Sequence, residues 1–533
     1  MEPKCELGAM TSSHVLGTSS ESIIIDRFSD LPDEIAHHIL SFHCGILMNL
    51  IRVGAVSKRC RQLYLSLPSL IIVSGHVSNC TRSRVRLMNY WDRYLFHRGD
   101  NKIECFGVCW SFDAAVNAEI SDEFFRITTW IQNAVRCNVK VLHLEFTQNN
   151  LNIVVLPSCI FHCHSLTELY VNLSGGDIQS PSLSFSSNLQ HLELKDAMVE
   201  DDRFFEWISS SCKCIKELRL ENVSGIKDIT IESSSLEIFI YLFPFNNYEL
   251  WDLNISGEKL EEIIILWHFD SNDDSRRGLI PRIRSLNILA PKLKKITWGG
   301  NFLDHQHLGN LMCLEEAKIF LFPDLDDFNN PFEVLCSIRV VKALVLNEET
   351  TKAFFMESSM PLRLDNIHDL TLHVRSVNDD FVPAMVSLFR GITTLNTLCI
   401  TSVTYKQAIE EAYNETEEED NNYEEEDNGT EQENSETTEE DGATEEGDNP
   451  PKFDVEYWKS QNLNFTCELK EVKLEIVEGN NNELDLARYI LEHAQKLKKM
   501  VILHSPQHPD ILEMVRKSKM ISTATVVLQE VIL

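Results

Sequence analysis

No stretch of this chain is apolar for long enough to cross a bilayer. The longest candidate, around residues 238–245, is broken by Pro244. The first residues lack a basic flank followed by an apolar core, so no secretory signal is expected. A disulfide framework is missing too. Fifteen cysteines, an odd number, are scattered without small-domain spacing, which reads as thiols in a reducing compartment, cytoplasm or nucleus. Basic charge is in deficit: 48 Lys and Arg face 82 Asp and Glu, a formal charge of −34. Such a balance repels phosphates and argues against a nucleic-acid partner. There is no Gly-x4-Gly-Lys phosphate loop and no nucleophile elbow. Ser, His and Asp nowhere form a recognisable catalytic arrangement, so no catalytic residue, cofactor or metal site is expected.

What the chain does have is a period. The pattern apolar-x-x-apolar-x-apolar starts at Val139, Leu166, Leu189, Ile215, Leu236, Leu260, Ile283, Leu314, Val341, Ile367 and Leu395, at intervals of 21 to 31 residues, and again at Leu469. A strand-like core recurring at this spacing predicts a leucine-rich solenoid. Each turn buries its apolar face on its neighbours and leaves a long concave sheet for a partner. Return segments such as 156–165 and 204–212 suit short, irregular helices on the convex side. The acidity is concentrated elsewhere. Residues 410–450 hold twenty Asp or Glu and no Lys or Arg, a composition that cannot offset its ordering entropy. Disorder is expected across 406–452, as a loop that closes at only logarithmic cost.

The organisation predicted is a disordered tail at 1–25, a helical unit at 26–70, irregular linker and capping repeats at 71–135, leucine-rich repeats at 136–405, the acidic insert at 406–452 and a final α/β module at 453–533. In the helical unit, Pro32, Asp33 and Glu34 suit the start of a helix, and Ile35, Ile39 and Phe42 form its apolar stripe. A second helix is expected over 46–53. A third is expected to carry Val53, Val56, Cys60 and Leu63 on one face. Three short helices bury little by themselves, so such a unit is expected to give its leftover apolar face to another protein. Arg82, Arg84 and Arg86 alternate with Ser83, Val85 and Leu87 and read as the solvated face of a strand. Cys159, His162, Cys163 and His164 have ligand types, but a structural zinc site wants two spaced pairs, and ordinary buried residues are expected there.

The helical unit resembles an F-box. The residues that match are Asp26-Arg27-Phe28-Ser29-Asp30-Leu31-Pro32-Asp33-Glu34-Ile35, then Ile39-Leu40-Ser41-Phe42, then Val56-Ser57-Lys58-Arg59-Cys60-Arg61. The family usually has Trp where Cys60 stands, and a Leu-Pro-Thr-Lys run where this chain has His43-Cys44-Gly45-Ile46. The C-terminal part resembles the FBD module of plant F-box proteins, through Cys467-Glu468-Leu469-Lys470-Glu471-Val472-Lys473-Leu474, Asn482-Glu483-Leu484-Asp485-Leu486-Ala487-Arg488-Tyr489-Ile490-Leu491 and Leu497-Lys498-Lys499-Met500. The resemblance implies an α/β architecture: a three-helix F-box, a leucine-rich-repeat solenoid and an FBD cap. It implies a non-catalytic substrate receptor of an SCF-type ubiquitin ligase. Leu31, Pro32, Ile39, Leu40, Val56 and Cys60 would contact the adaptor subunit, and the repeats would hold a target protein. The alternative left open is a repeat scaffold whose F-box no longer joins a ligase.

Overall fold

The structure, a computed structural model, describes residues 28, 30–42, 47–74, 81–112, 117–148, 155–183, 186–243, 252–267, 285–301, 305–322, 331–355, 363–402, 407, 453, 455–476, 482–505 and 510–530. The tail expected at 1–25 and nearly all of the insert expected at 406–452 lie outside these residues.

Among the described residues sixteen strands, from Ser69–Val73 to Thr525–Glu530, form one parallel sheet whose order follows the chain. The cause is local and repeated. In each strand alternate residues are apolar, and a strand sends alternate side chains to opposite faces. Leu142, Leu144 and Phe146 of one strand, Leu192 and Leu194 of another and Val472 and Leu474 of a third all enter a single continuous core. The turn before each strand repeats one bond pattern. The Glu104 carbonyl accepts from the amides of Lys140 and Val141, the Lys140 carbonyl from Thr167 and Glu168, and the Thr167 carbonyl from Gln190 and His191. The same two-to-one step recurs as far as the Lys470 carbonyl, which accepts from Lys498 and Lys499. It also crosses the acidic insert. The Asn396 carbonyl accepts from Lys470 and Glu471, and strand Thr397–Thr401 pairs directly with Glu471–Ile476. The FBD-like segment therefore continues the solenoid rather than forming a separate layer.

Helices α1 (Asp33–Ser41), α2 (Leu47–Val56) and α3 (Lys58–Leu65) precede the sheet. The third helix expected from Val53 is divided. Ser57 accepts from the Cys60 amide at 3.0 Å and caps α3, so Val53 and Val56 belong to α2. A polar N-cap satisfies an otherwise orphaned amide, and this starts a new helix. The described residues of 71–135 are regular. Long helices α4 (Thr81–Arg98) and α5 (Asn117–Arg136) alternate with strands Ser69–Val73 and Cys105–Phe112, the first two of the sheet. Arg84 and Arg86 thus stand on α4, not on a strand. The six-residue alternation is outweighed by Met88, Trp91 and Leu95, which recur at helical spacing and are buried. Arg84 pairs with Glu123 of α5 at 2.6 Å, and its guanidinium lies 5.1 Å from the Trp110 ring.

The return side also departs from expectation. In the central turns it is a second parallel sheet, formed by Asp228–Glu232, Asp252–Ser256, Ser285–Leu289 and His305–His307. Of the instance that starts at Ile283, Ser285–Leu289 lies on this return sheet, while Ile283 itself lies outside the described residues. The strand of the long sheet for that turn is Lys295–Asn301, built on Leu293, Ile296 and Trp298. Both sheets bury alternate residues in the same core, so the apolar spacing does not distinguish them.

Candidate functional site

Two surfaces are candidates: the outer edge of the three helices and the open face of the long sheet. In the helical unit Ala36, Leu40, Cys60 and Leu63 are buried, and Leu31, Val53 and Tyr64 pack partly against the same core. Other apolar residues of the unit have no such cover. Ile35 and Ile39 are exposed, Phe42 is 73% exposed and Val56 74%. Ile35, Ile39 and Phe42 form one line along α1, edged by the His38 ring, which meets Phe42 at 5.0 Å. Of the six residues expected to meet an adaptor, Pro32, Ile39 and Val56 are exposed and Leu31 is half-buried. Leu40 and Cys60 are interior, 2% and 4% exposed, and hold the unit together. Ile35 and Phe42 complete the exposed line; their i, i+4, i+7 spacing with Ile39 was the available signal.

The unit is anchored rather than tethered. Arg59 of α3 forms an ion pair with Asp33 and donates to the Leu31 carbonyl, which ties the start of α1 to α3. The hydrogen bond from Arg59 holds the Asp33 carboxyl below its ordinary range. The last carbonyls of a helix have no partner within it. Here α4 and its following loop supply them. Tyr94 donates to the Tyr64 carbonyl at 2.8 Å, while Arg98 and Asn101 donate to the Leu65 carbonyl at 3.2 and 3.0 Å.

The open face of the sheet changes character along its length. On Cys105–Phe112 and Val141–Gln148 it carries Cys109, His143 and Glu145, whose thiol, imidazole and carboxylate atoms lie within 4.8 Å of one another. Burial, together with the Glu145 charge and a hydrogen bond to it, pushes the Cys109 thiol up to about 11. Further along is a charged ladder. His191 meets Glu217 at 3.2 Å and Lys195 meets Glu221 at 2.6 Å. The bond to Glu217 raises the His191 pKa. Beside this ladder Ser174, Asp196 and Asn222 take left-handed backbone, with φ of 47°, 47° and 50°. They line a shallow polar groove of about 430 Å³, and Asn222 donates to Asp196 at 2.6 Å. Asn and Asp tolerate this conformation better than other non-glycine residues.

The central stretch is apolar, and there this face is buried rather than open. Ile240, Leu242, Ile264 and Leu266, with Ile238 against them, form a cluster apart from the main core. The signal for it was in the sequence: 238–243 and 263–267 are apolar without alternation, which is how strands buried on both faces read. Beyond it, burial drives the His373 imidazole down to about 4, with help from Lys318.

The segment 159–164 does not assemble a site among the described residues. Cys163 is buried, and its thiol lies against the Val139 carbonyl at 3.9 Å and Ser165 at 3.2 Å.

A family model described as FBD-associated F-box protein At5g56370, LRR repeats, matches residues 127–313, and a model for FBD matches residues 466–502. The chain is 23% identical to F-box/FBD/LRR-repeat protein At4g03220 of Arabidopsis thaliana, over 91% of this chain and 90% of that one. It is 27% identical to F-box protein At5g03100 of the same plant, over 54% of this chain and 93% of that protein. With F-box/LRR-repeat protein 13, again from Arabidopsis thaliana, it shares 24% identity over 48% of this chain and 54% of the other. With its repeats and its C-terminus each matching a family model, and a relative of the same architecture aligned along nearly its whole length, the chain is similar to the plant F-box/leucine-rich-repeat proteins that end in an FBD module.

Proposed function

We propose that the chain is the substrate-recognition subunit of an SCF-type ubiquitin ligase. Its α1 edge grips the adaptor subunit, and the open face of the sheet holds a target protein. The observation that carries this reading is the uncovered apolar line Ile35, Ile39 and Phe42, on a unit whose Ala36, Leu40, Cys60 and Leu63 are packed inside. A large exposed apolar line on a small helical unit marks a protein contact. Neither matching family model describes an enzyme, and a receptor of this kind needs no chemistry of its own. It acts by raising the target's effective concentration beside the transferring enzyme. Such a receptor works in the cytoplasm or nucleus, and the free thiols of the described cysteines suit a reducing compartment.

Cys60 stands where the wider family has Trp, which motivates the second reading, a scaffold outside any ligase. In this chain position 60 is interior, so its identity leaves the outward line of α1 intact. The test is a pull-down of purified full-length chain with the adaptor subunit of a plant SCF ligase. Wild type binds; Ile35→Asp with Ile39→Asp loses binding while keeping its circular-dichroism spectrum and melting temperature. Absence of binding by the wild type sinks the ligase reading in favour of the scaffold. A double variant that binds like wild type sinks the assignment of the surface.

A further inference from the structure

Cys109 and Glu145 are direct register partners on adjacent strands, and His143 is two residues before Glu145 on the same face. The residue opposite His143 is Gly107, which has no side chain to crowd the imidazole on the Cys109 side. On the other side Tyr170 stands opposite His143, with ring centroids 5.8 Å apart. Three different donor types, a thiol, an imidazole and a carboxylate, thus meet with their ligand atoms within 4.8 Å. They rest on rigid elements: Val108, Trp110, Leu142, Leu144 and Phe146, which alternate with them, are all fully buried.

We propose that Cys109, His143 and Glu145 form a site for a borderline-soft divalent cation of the zinc type on the open face of the sheet. The donor set selects the ion. Thiolate and imidazole favour zinc over magnesium or calcium, which take oxygen ligands. Tetrahedral zinc places its ligand atoms roughly 3.5 Å apart, so small side-chain rotations close the present arrangement around the ion. The protein supplies three ligands, and His143 is exposed. The fourth position therefore opens to solvent, as in sites that bind an exchangeable group rather than in closed structural sites. Binding requires the thiol to give up its proton to solvent. Neither the repeat period nor the adaptor surface enters this assignment.

The experiment is a titration of the reduced full-length chain with Co²⁺, read by absorbance, followed by displacement with Zn²⁺. One equivalent producing a thiolate-to-cobalt charge-transfer band that Zn²⁺ removes is the expected result. Cys109→Ser abolishes the band, and Cys163→Ser leaves it. His143→Ala and Glu145→Gln weaken binding by about tenfold or more, the scale seen when even outer-shell partners are lost. Circular dichroism of each variant confirms that it is folded. A wild-type chain without the band, or a band that survives Cys109→Ser, overturns the proposal.

Discussion

The two kinds of turn in this solenoid share one inner strand and differ in how they come back. Central turns return through strands, Asp228–Glu232, Asp252–Ser256 and Ser285–Leu289. Turns on either side return through helices such as Arg203–Ser211, Glu348–Phe355 and Asn482–His493. The difference decides what ties one turn to the next. A strand must find backbone partners in its neighbours, whereas a helix satisfies most of its own. The strand returns are therefore laced by main-chain ladders and by rows of like side chains. Asn287 donates to Asn254 at 2.6 Å, and Asn254 donates to Thr230 at 3.3 Å. The helical returns are tied by side chain to backbone. Thr350 receives the Leu321 amide at 2.7 Å and donates to the Leu321 carbonyl at 3.2 Å. Glu483 receives the Val377 amide at 2.7 Å, and Asn482 donates to the Val377 carbonyl at 2.9 Å. These last two bonds join residues on either side of the acidic insert.

Substitutions can separate the two kinds of turn. The largest effect is expected in a helical return, where one aromatic fills the turn. Trp207 is buried among Phe161 and Phe204, with centroids at 5.2 and 5.7 Å. Trp207→Ala should cost about 3–5 kcal/mol in urea unfolding. A cost below about 1 kcal/mol would mean that the helical turns are not held by packing.

Next comes the side-chain tie. Glu483→Ala leaves the buried Val377 amide without its acceptor and should cost about 1–3 kcal/mol. The same residue carries a pH signature. Burial raises its folded pKa above the ordinary glutamate value, so the folded state keeps the proton to higher pH than the unfolded chain. Glu483 therefore makes stability fall as pH rises through the window between those two values. The pH dependence of melting temperature in Glu483→Gln should lack this fall; an unchanged profile would remove Glu483 from the account.

A smaller effect is expected in the strand returns, because the main-chain ladder survives loss of any one side chain. Asn254→Ala should cost about 1 kcal/mol. A larger loss than that of Glu483→Ala would reverse the proposed division of labour. Smallest is the exposed pair of Lys294 and Glu261 at 2.6 Å, which joins two turns at the surface. Lys294→Ala should leave stability nearly unchanged, and any residual effect should vanish at high salt.

Legibility followed the range of the causes. The short helices near the start, the helix at Arg203–Ser211 and the strands around Leu142, Leu169 and Val472 rest on residues a few positions apart, and the chain shows them directly. The return strand at Ser285–Leu289 was visible as a strand but not as a member of the second sheet, since alternate burial is the same on both. The α4 arginines misled because six residues are too short a window to separate a period of two from one of 3.6. Of the adaptor-facing residues expected, Leu40 and Cys60 are interior because α1 and α3 turn those positions inward. No local pattern announced Cys109, His143 and Glu145, which come from two strands joined through α5.

Composition and period were enough to specify a stacked parallel α/β array with a helical unit before it, because each turn is a local unit repeated, while short motifs carried the family resemblance. Which of the residues expected to face an adaptor turn inward, which turns return as strands, and which donors meet across neighbouring strands were settled by packing alone. Those outcomes depend on contacts between residues far apart in the chain, and spacing along the chain does not carry that information.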